Sequence, residues 1–320
     1  LRPDPRRPQG LPDGGSRTPG HPEFGHTVGV ETTTGPLGQG VATGVGMAMA
    51  ARFERGLFDP DAAPGTSPFD HRVWIIASDG DLEEGISGEA SSLAGMQQLN
   101  RLCLIWDDNR ISIEGDTAVA FTEDVTARYA AYGWAVHTVE RRPDGDIDRD
   151  GLYRALLAAT QEEHRPTFIR MRSTIAWPAP HAQNTAKAHG SALGADEVAA
   201  TKAVLGLDPS LDFAVDPTVL ANVRAALAAR VAAERATWNA SYASWRANEP
   251  QRAALLDRLL AGELPAGFDA AFPAFPVGGS MATRKASGEV INALAPVMPE
   301  LWGGSADLAE SNNTTIEGGG

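Results

Sequence analysis

The chain has 320 residues, enough for about two domains at roughly 150 residues each. Its net charge of -14, from 41 acidic and 27 basic side chains, argues against a general nucleic-acid binder, which needs a basic face. No apolar run approaches the roughly 20 residues that cross a bilayer, and the N-terminus lacks the apolar core of a signal peptide, so neither a membrane partner nor export is expected and a cytoplasmic location is.

Leu1 to Gly15, rich in Pro, Arg and Gly and without periodicity, predict an extended or disordered arm; the chain opens without Met, so a start that is not the natural one is expected. From Ser16 onward Gly-rich loops alternate with β-branched runs and Ala-rich stretches. Val73 to Ala77 is a predicted buried strand, followed by an acidic Gly loop and a helix over Ser87 to Leu99. Leu102 to Trp106, Trp134 to Val139 and Thr167 to Met171 are further strands, with helices over Thr122 to Tyr132 and Gly151 to Glu163. Continuous apolar strands alternating with helices predict an α/β fold whose parallel sheet is covered on both faces. The single cysteine, Cys103, falls inside the second strand and reads as a buried structural thiol in a reducing compartment. Residues 194 to 261 read as mostly helical, Leu264 to Val277 as a Pro-rich linker, and a second domain begins near Ser280. The expected organisation is therefore an arm over 1–15, a binding domain with helical extension over 16–261, a linker over 262–279, and over 280–320 a segment too short for an independent α/β domain.

The residues with the clearest chemical potential are Asp79-Gly80 and Asn109. Asp79 stands at the carboxyl end of one predicted parallel strand and Asn109 just past the next, the edge at which open α/β sheets bind ligands. A carboxylate and an amide oxygen arriving there suit a hard cation such as magnesium, which keeps part of its shell for water and phosphate oxygens. Gly80 lets backbone approach a phosphate closely. The same dipeptides are common turn formers, and the residues alone leave both readings open.

The segment from Asp79-Gly80 to Asn109 resembles the thiamine diphosphate motif of the transketolase family, although Ser78 stands where that family has Gly. Further segments are similar in the expected order: Ser16 to Glu23, Thr33 to Gly40, Gly85 to Ala90, Ile111 to Gly115, Ala188 to Gly194, Ala282 to Ser287 and Gly303 to Asn312. The resemblance covers roughly Ser16 to Ser311 and implies a thiamine diphosphate-binding fold followed by a helical segment and, over 280–320, the truncated start of a second α/β domain that binds the cofactor's pyrimidine, together with a divalent cation (magnesium, with calcium or manganese as substitutes) and a homodimer with the cofactor between subunits. It implies that Asp79, the side chain of Asn109 and the carbonyl of Ile111 hold the metal. Gly35, Pro36, Leu37 and Gly80 would line the cofactor. His189 would touch both diphosphate and substrate, with His21 at the substrate end. Arg284 and Ser311 would bind a sugar phosphate, and Asp307 would lie near the partner subunit's cofactor. Glu84 and Glu89 would face the dimer interface; solvated helix-start carboxylates are the alternative for both. His26, His71, His137, His164 and His181 receive no role.

The implied activity is transfer of a two-carbon ketol unit from a ketose phosphate to an aldose phosphate, in the pentose phosphate pathway. Another thiamine enzyme, such as a deoxyxylulose phosphate synthase, is the neighbouring alternative, and the segments at Thr18 to Glu23 and Gly303 to Leu308 speak against it. Two upstream family histidines and the Glu that contacts the aminopyrimidine have no counterpart here. That motivates a third expectation, a chain incomplete at both ends that binds cofactor and metal or dimerises without turnover, its first residues the product of a frameshift or a gene-prediction error.

Overall fold

The computed structural model describes residues 19–319. The expected arm and Ser16, Arg17 and Thr18 lie outside the described residues. Contacts group the chain into two compact units, one reaching Arg52 and resuming over His71–Ala226, the other Phe53–Asp70 with Leu227–Gly320. Residues 227–261, expected with the first domain, thus group with the later segment, because Trp245 and its neighbours pack on Phe58 and Phe69.

In the first unit the expected parallel sheet is present. After α1 (Gln39–Phe58) come β1 (Val73–Ser78), α2 (Asp79–Glu83), α3 (Gly85–Met96), β2 (Leu102–Asp108), α4 (Val125–Ala131), β3 (Ala135–Val139), α5 (Arg149–Gln161) and β4 (Thr167–Arg172). All three strand pairs are parallel, in the order β1-β2-β4-β3. Side chains alternate across each strand. Leu102, Leu104 and Trp106 therefore join Val41 and Val45 of α1, Ala94 of α3 and Tyr129 of α4 in one core. Cys103 points the other way, with Ala155 and Ala159 of α5. Its burial pushes the thiol up to about 12, which fits the structural role expected of it.

Several expected boundaries move for identifiable reasons. The acidic Gly loop after β1 is instead the short helix α2, closed because both the N–H and the Oγ of Ser78 donate to Asp81 at 2.9 Å. β2 runs two residues past Trp106, since Asp107 and Asp108 pair in register with Met171 and Arg172. The side chains of Asp124 and Asp148 accept backbone N–H groups of Ala127 and Gly151, which sets the starts of α4 and α5. The 20-residue helix α1 was not foreseen individually; its glycines conceal it, and Gly44 is required where the helix lies against Ile75.

Beyond the sheet lie α6 (Lys187–Gly190) and α7 (Ala195–Val204), then α8 (Pro217–Asn248), α9 (Pro250–Ala261), α10 (Phe268–Ala271), α11 (Thr283–Leu294) and α12 (Ala309–Asn312). The predicted linker thus holds the short helix α10, and the described residues after Ser280 form helices and loops only. In the second unit the Trp245 indole donates to the Phe58 carbonyl at 2.9 Å, and Arg246 grips Asp257 at 2.8 and 2.6 Å. Among the described residues no helix is long and apolar enough to cross a membrane.

Candidate functional site

The site is assembled at the carboxyl ends of β1 and β2. Asp79 is buried at the first position of α2, where its Oδ1 accepts the Trp106 indole N–H at 3.2 Å and its Oδ2 the backbone N–H of Arg110 at 3.0 Å. Arg110 reaches it by adopting a φ of 62°, a left-handed conformation uncommon outside glycine. Burial, reinforced by the neighbouring Asp108 carboxylate, pushes Asp79 up to about 6, against the pull of the N–H donors. Asp108 is fully buried and held by two arginines: Arg170 Nε at 2.6 Å and Arg172 Nη1 at 2.6 Å. Arg170 also lies over the Trp106 ring. A cleft of about 520 Å³ opens beside this network, with Asp79, Trp106, Arg110, Thr117, Phe121 and Arg170 among its walls.

Asn109 follows directly. Its Oδ1 accepts the N–H of Ile111 at 2.9 Å, which fixes the amide and leaves the oxygen a second lone pair. Ile111 is buried and bridges to Asp116. Asp79 and the 109–111 turn are thus brought together, joined through the Arg110 N–H.

The Thr33–Gly40 loop docks on the same edge. Leu37 lies against Gly80, where a Cβ would meet it at 3.1 Å, and the N–H of Gly38 donates to Asp81 at 3.0 Å. Gly35 lies against the His21 ring, and the Thr34 N–H donates to the Pro22 carbonyl, so the His21 segment and this loop meet. Gly38 has φ +77°, and a Cβ there would stand 2.8 Å from Glu84 Cβ and 2.9 Å from Ile86 Cγ2. Gly38→Ala is expected to lower the unfolding free energy by about 1–3 kcal/mol. A urea midpoint equal to wild type would show that the loop is not docked as described.

His189 is exposed on α6, its N–H bonded to the Ala186 carbonyl. Glu84 and Glu89 are exposed. Within the second unit Arg284 and Ser311 line one cleft of about 980 Å³, and Asp307 is an exposed residue at φ 59°.

One sheet edge thus gathers a buried carboxylate, an oriented amide oxygen and a glycine against which Leu37 packs closely. A sequence model of the transketolase thiamine diphosphate-binding domain matches residues 9–265. The chain belongs to the transketolase family. Family members named transketolase include that of Mycobacterium leprae (strain TN), 57% identical over 305 residues, covering 95% of this chain and 43% of the relative. The Geobacillus stearothermophilus transketolase is 45% identical over 306 residues, covering 96% of this chain and 45% of its own. Among solved transketolases, the Pichia stipitis enzyme in complex with sedoheptulose-7-phosphate superimposes with a TM-score of 0.87 at 41% identity, over 95% of this chain and 44% of that one. The Leishmania mexicana transketolase gives 0.86 at 40%, with the same coverage. The chain therefore spans less than half the length of the transketolases it matches.

Sequence reasoning missed Trp106 as a partner of Asp79, and it missed the buried Asp108 beside it with that residue's own partners, Arg170 and Arg172. A usable signal was present: Arg170 and Arg172 alternate on β4 inside an otherwise apolar strand, and Asp108 ends β2 next to it. His181, given no role, proves to be paired with Glu197 at 2.8 Å.

Proposed function

We propose that the chain binds thiamine diphosphate with a magnesium ion and serves a transketolase reaction, moving a two-carbon ketol unit from a ketose phosphate to an aldose phosphate. The observation that carries this reading is the convergence of Asp79, Gly80, Leu37 and the Asn109–Ile111 turn at one sheet edge, in a chain whose match to the transketolase cofactor domain spans that edge. The donor set fits the ion. Asp79 brings a desolvated carboxylate whose own environment disfavours its charge, a cost that a divalent cation would offset, and both it and Asn109 keep lone pairs free of protein donors. The Ile111 carbonyl completes the proposed protein ligands, with calcium or manganese as substitutes for magnesium. Gly80, Gly35, Pro36 and Leu37 would flank the cofactor.

When bound, thiamine diphosphate would supply a nucleophilic thiazolium carbon that bonds a ketose carbonyl carbon and a ring that takes up the electron pair of the cleaved carbon–carbon bond. The chain's own residues orient and move protons around it. His189 and His21 would take and return protons on substrate hydroxyls, a role commonly worth about 100- to 10,000-fold. Arg284, with its planar donor fork, and Ser311 would hold the substrate phosphate. Asp307 would serve the cofactor of the partner subunit, and Glu84 and Glu89 the interface of a homodimer. The pentose phosphate pathway and a cytoplasmic location complete the proposal; residues 280–320 would belong to the pyrimidine-binding side.

Calorimetric titration of thiamine diphosphate with and without magnesium tests the binding claim. An assay with xylulose 5-phosphate and ribose 5-phosphate, followed by detection of sedoheptulose 7-phosphate, tests the chemistry. Metal-dependent binding and turnover are expected. No binding rejects the whole reading; binding without turnover limits the chain to holding the cofactor.

A further inference from the structure

Glu197 is an unusual helix-start carboxylate. It stands third in α7, where a Glu ordinarily turns back to the N–H of its own N-cap. Here it reaches across 16 and 15 residues instead. Oε1 accepts the backbone N–H groups of His181 at 2.7 Å and Ala182 at 2.8 Å, while Oε2 meets His181 Nδ1 at 2.8 Å. The residue is buried, although the His181 ring is 82% exposed, so the carboxylate lies under the loop. These donors, the His181 N–H first, hold the Glu197 carboxyl below the ordinary carboxylate range.

The hydrogen bonds continue toward His189. The Ala182 carbonyl accepts the Thr185 hydroxyl at 2.6 Å, the Thr185 carbonyl accepts the Ala188 N–H at 3.1 Å, and the Ala186 carbonyl accepts the His189 N–H at 3.0 Å. On the other side the Thr201 hydroxyl donates to the Glu197 carbonyl at 2.7 Å, tying the clamp to the next turn of α7. We infer that Glu197 is a positioning residue that closes the 181–197 segment and thereby fixes where His189 is presented. The inference rests, for its functional half, on His189 belonging to the proposed cofactor and substrate site. An exposed histidine on a four-residue helix has little packing of its own to hold it, and three bonds to a single buried carboxylate supply what packing does not.

The two backbone donors share Oε1, so a glutamine that keeps that oxygen in place preserves both, and its amide can still donate to a neutral His181 Nδ1. Alanine preserves none. Hydrogen exchange read by mass spectrometry on the full chain therefore separates the variants. In Glu197→Ala, amides over 181–191 are expected to exchange at least about 10-fold faster, with β1 and β2 unchanged, and in Glu197→Gln to stay within about 3-fold of wild type. Should Glu197→Ala fail to fold, Thr185→Val breaks the next bond in the series without touching α7, and raises exchange over 185–191 by roughly 3-fold or more. Unchanged exchange in the folded loss variant overturns the clamp. Magnesium–thiamine diphosphate titrations on the same proteins test its consequence. Affinity should fall about 10-fold in Glu197→Ala and recover in Glu197→Gln. Faster exchange with unaltered affinity overturns the positioning of His189. A wild-type chain that binds no thiamine diphosphate counts against the functional reading alone, and exchange then decides the clamp.

Discussion

Replacing Asp108 with alanine is expected to destabilise the chain by about 3–5 kcal/mol, measured as a loss of unfolding free energy in urea. The carboxylate is 1% exposed and takes Arg170 on one oxygen and Arg172 on the other, both at 2.6 Å. Its removal leaves two guanidinium groups side by side on one face of β4 in a partly desolvated site, which costs far more than the loss of a surface pair. Asp108→Asn should also be destabilising, because an amide offers one oxygen where two are used and turns an NH₂ toward a cation. The effect should persist in high salt, since pairs removed from solvent are screened little. A loss below about 1 kcal/mol would mean that the arginines find other partners and that the network is peripheral.

Asp79→Asn should separate stability from function. Magnesium-dependent binding of thiamine diphosphate is expected to drop by more than about 100-fold, beyond the 10- to 100-fold typical of losing an outer partner of a metal ligand. The metal-free protein should meanwhile become more stable near neutral pH. Asp79 in the folded chain holds its proton up to about 6, against an ordinary value of 3.8. Between those values the folded state binds more protons than the unfolded one, so stability of the metal-free chain falls as pH rises through that window and stays lower above it. Asparagine removes the slope. With allowance for a weakened hydrogen bond, the gain above pH 6 should be roughly 1–2 kcal/mol. A metal-free variant less stable than wild type at pH 7, or one retaining full metal-dependent affinity, would refute this account of Asp79.

The sheet was readable because its strands are apolar runs too short for helices and separated by helical lengths, a pattern that leaves a parallel arrangement. That Asp79, Gly80 and Asn109 meet at one sheet edge was readable because they sit directly after two strands that pair. The buried network beside Asp79 was harder to read. Arg170 and Arg172 lie 62 and 64 residues from Asp108, and strand order β1-β2-β4-β3 places β4 beside β2 only after folding. The short helix α2 was mistaken for a loop because Asp-Gly favours turns locally, and it took the Ser78–Asp81 bonds to tip the balance. Glu197 was hidden for a similar reason: an acidic residue in a first helical turn has a sufficient local explanation, and its distant partners carry no sequence mark.

Arg110 adds something of a different kind. Its contribution to Asp79 is made by the peptide N–H, while its side chain is 59% exposed and only loosely near Asp108 at 3.9 Å. What the contact requires at this position is a torsion angle. Glycine would adopt it at no steric cost, most other residues at a modest one, and proline could neither reach the angle nor donate the bond. The contact with Asp79 is therefore a property of the backbone turn, and a change of side chain that keeps the torsion should leave it in place.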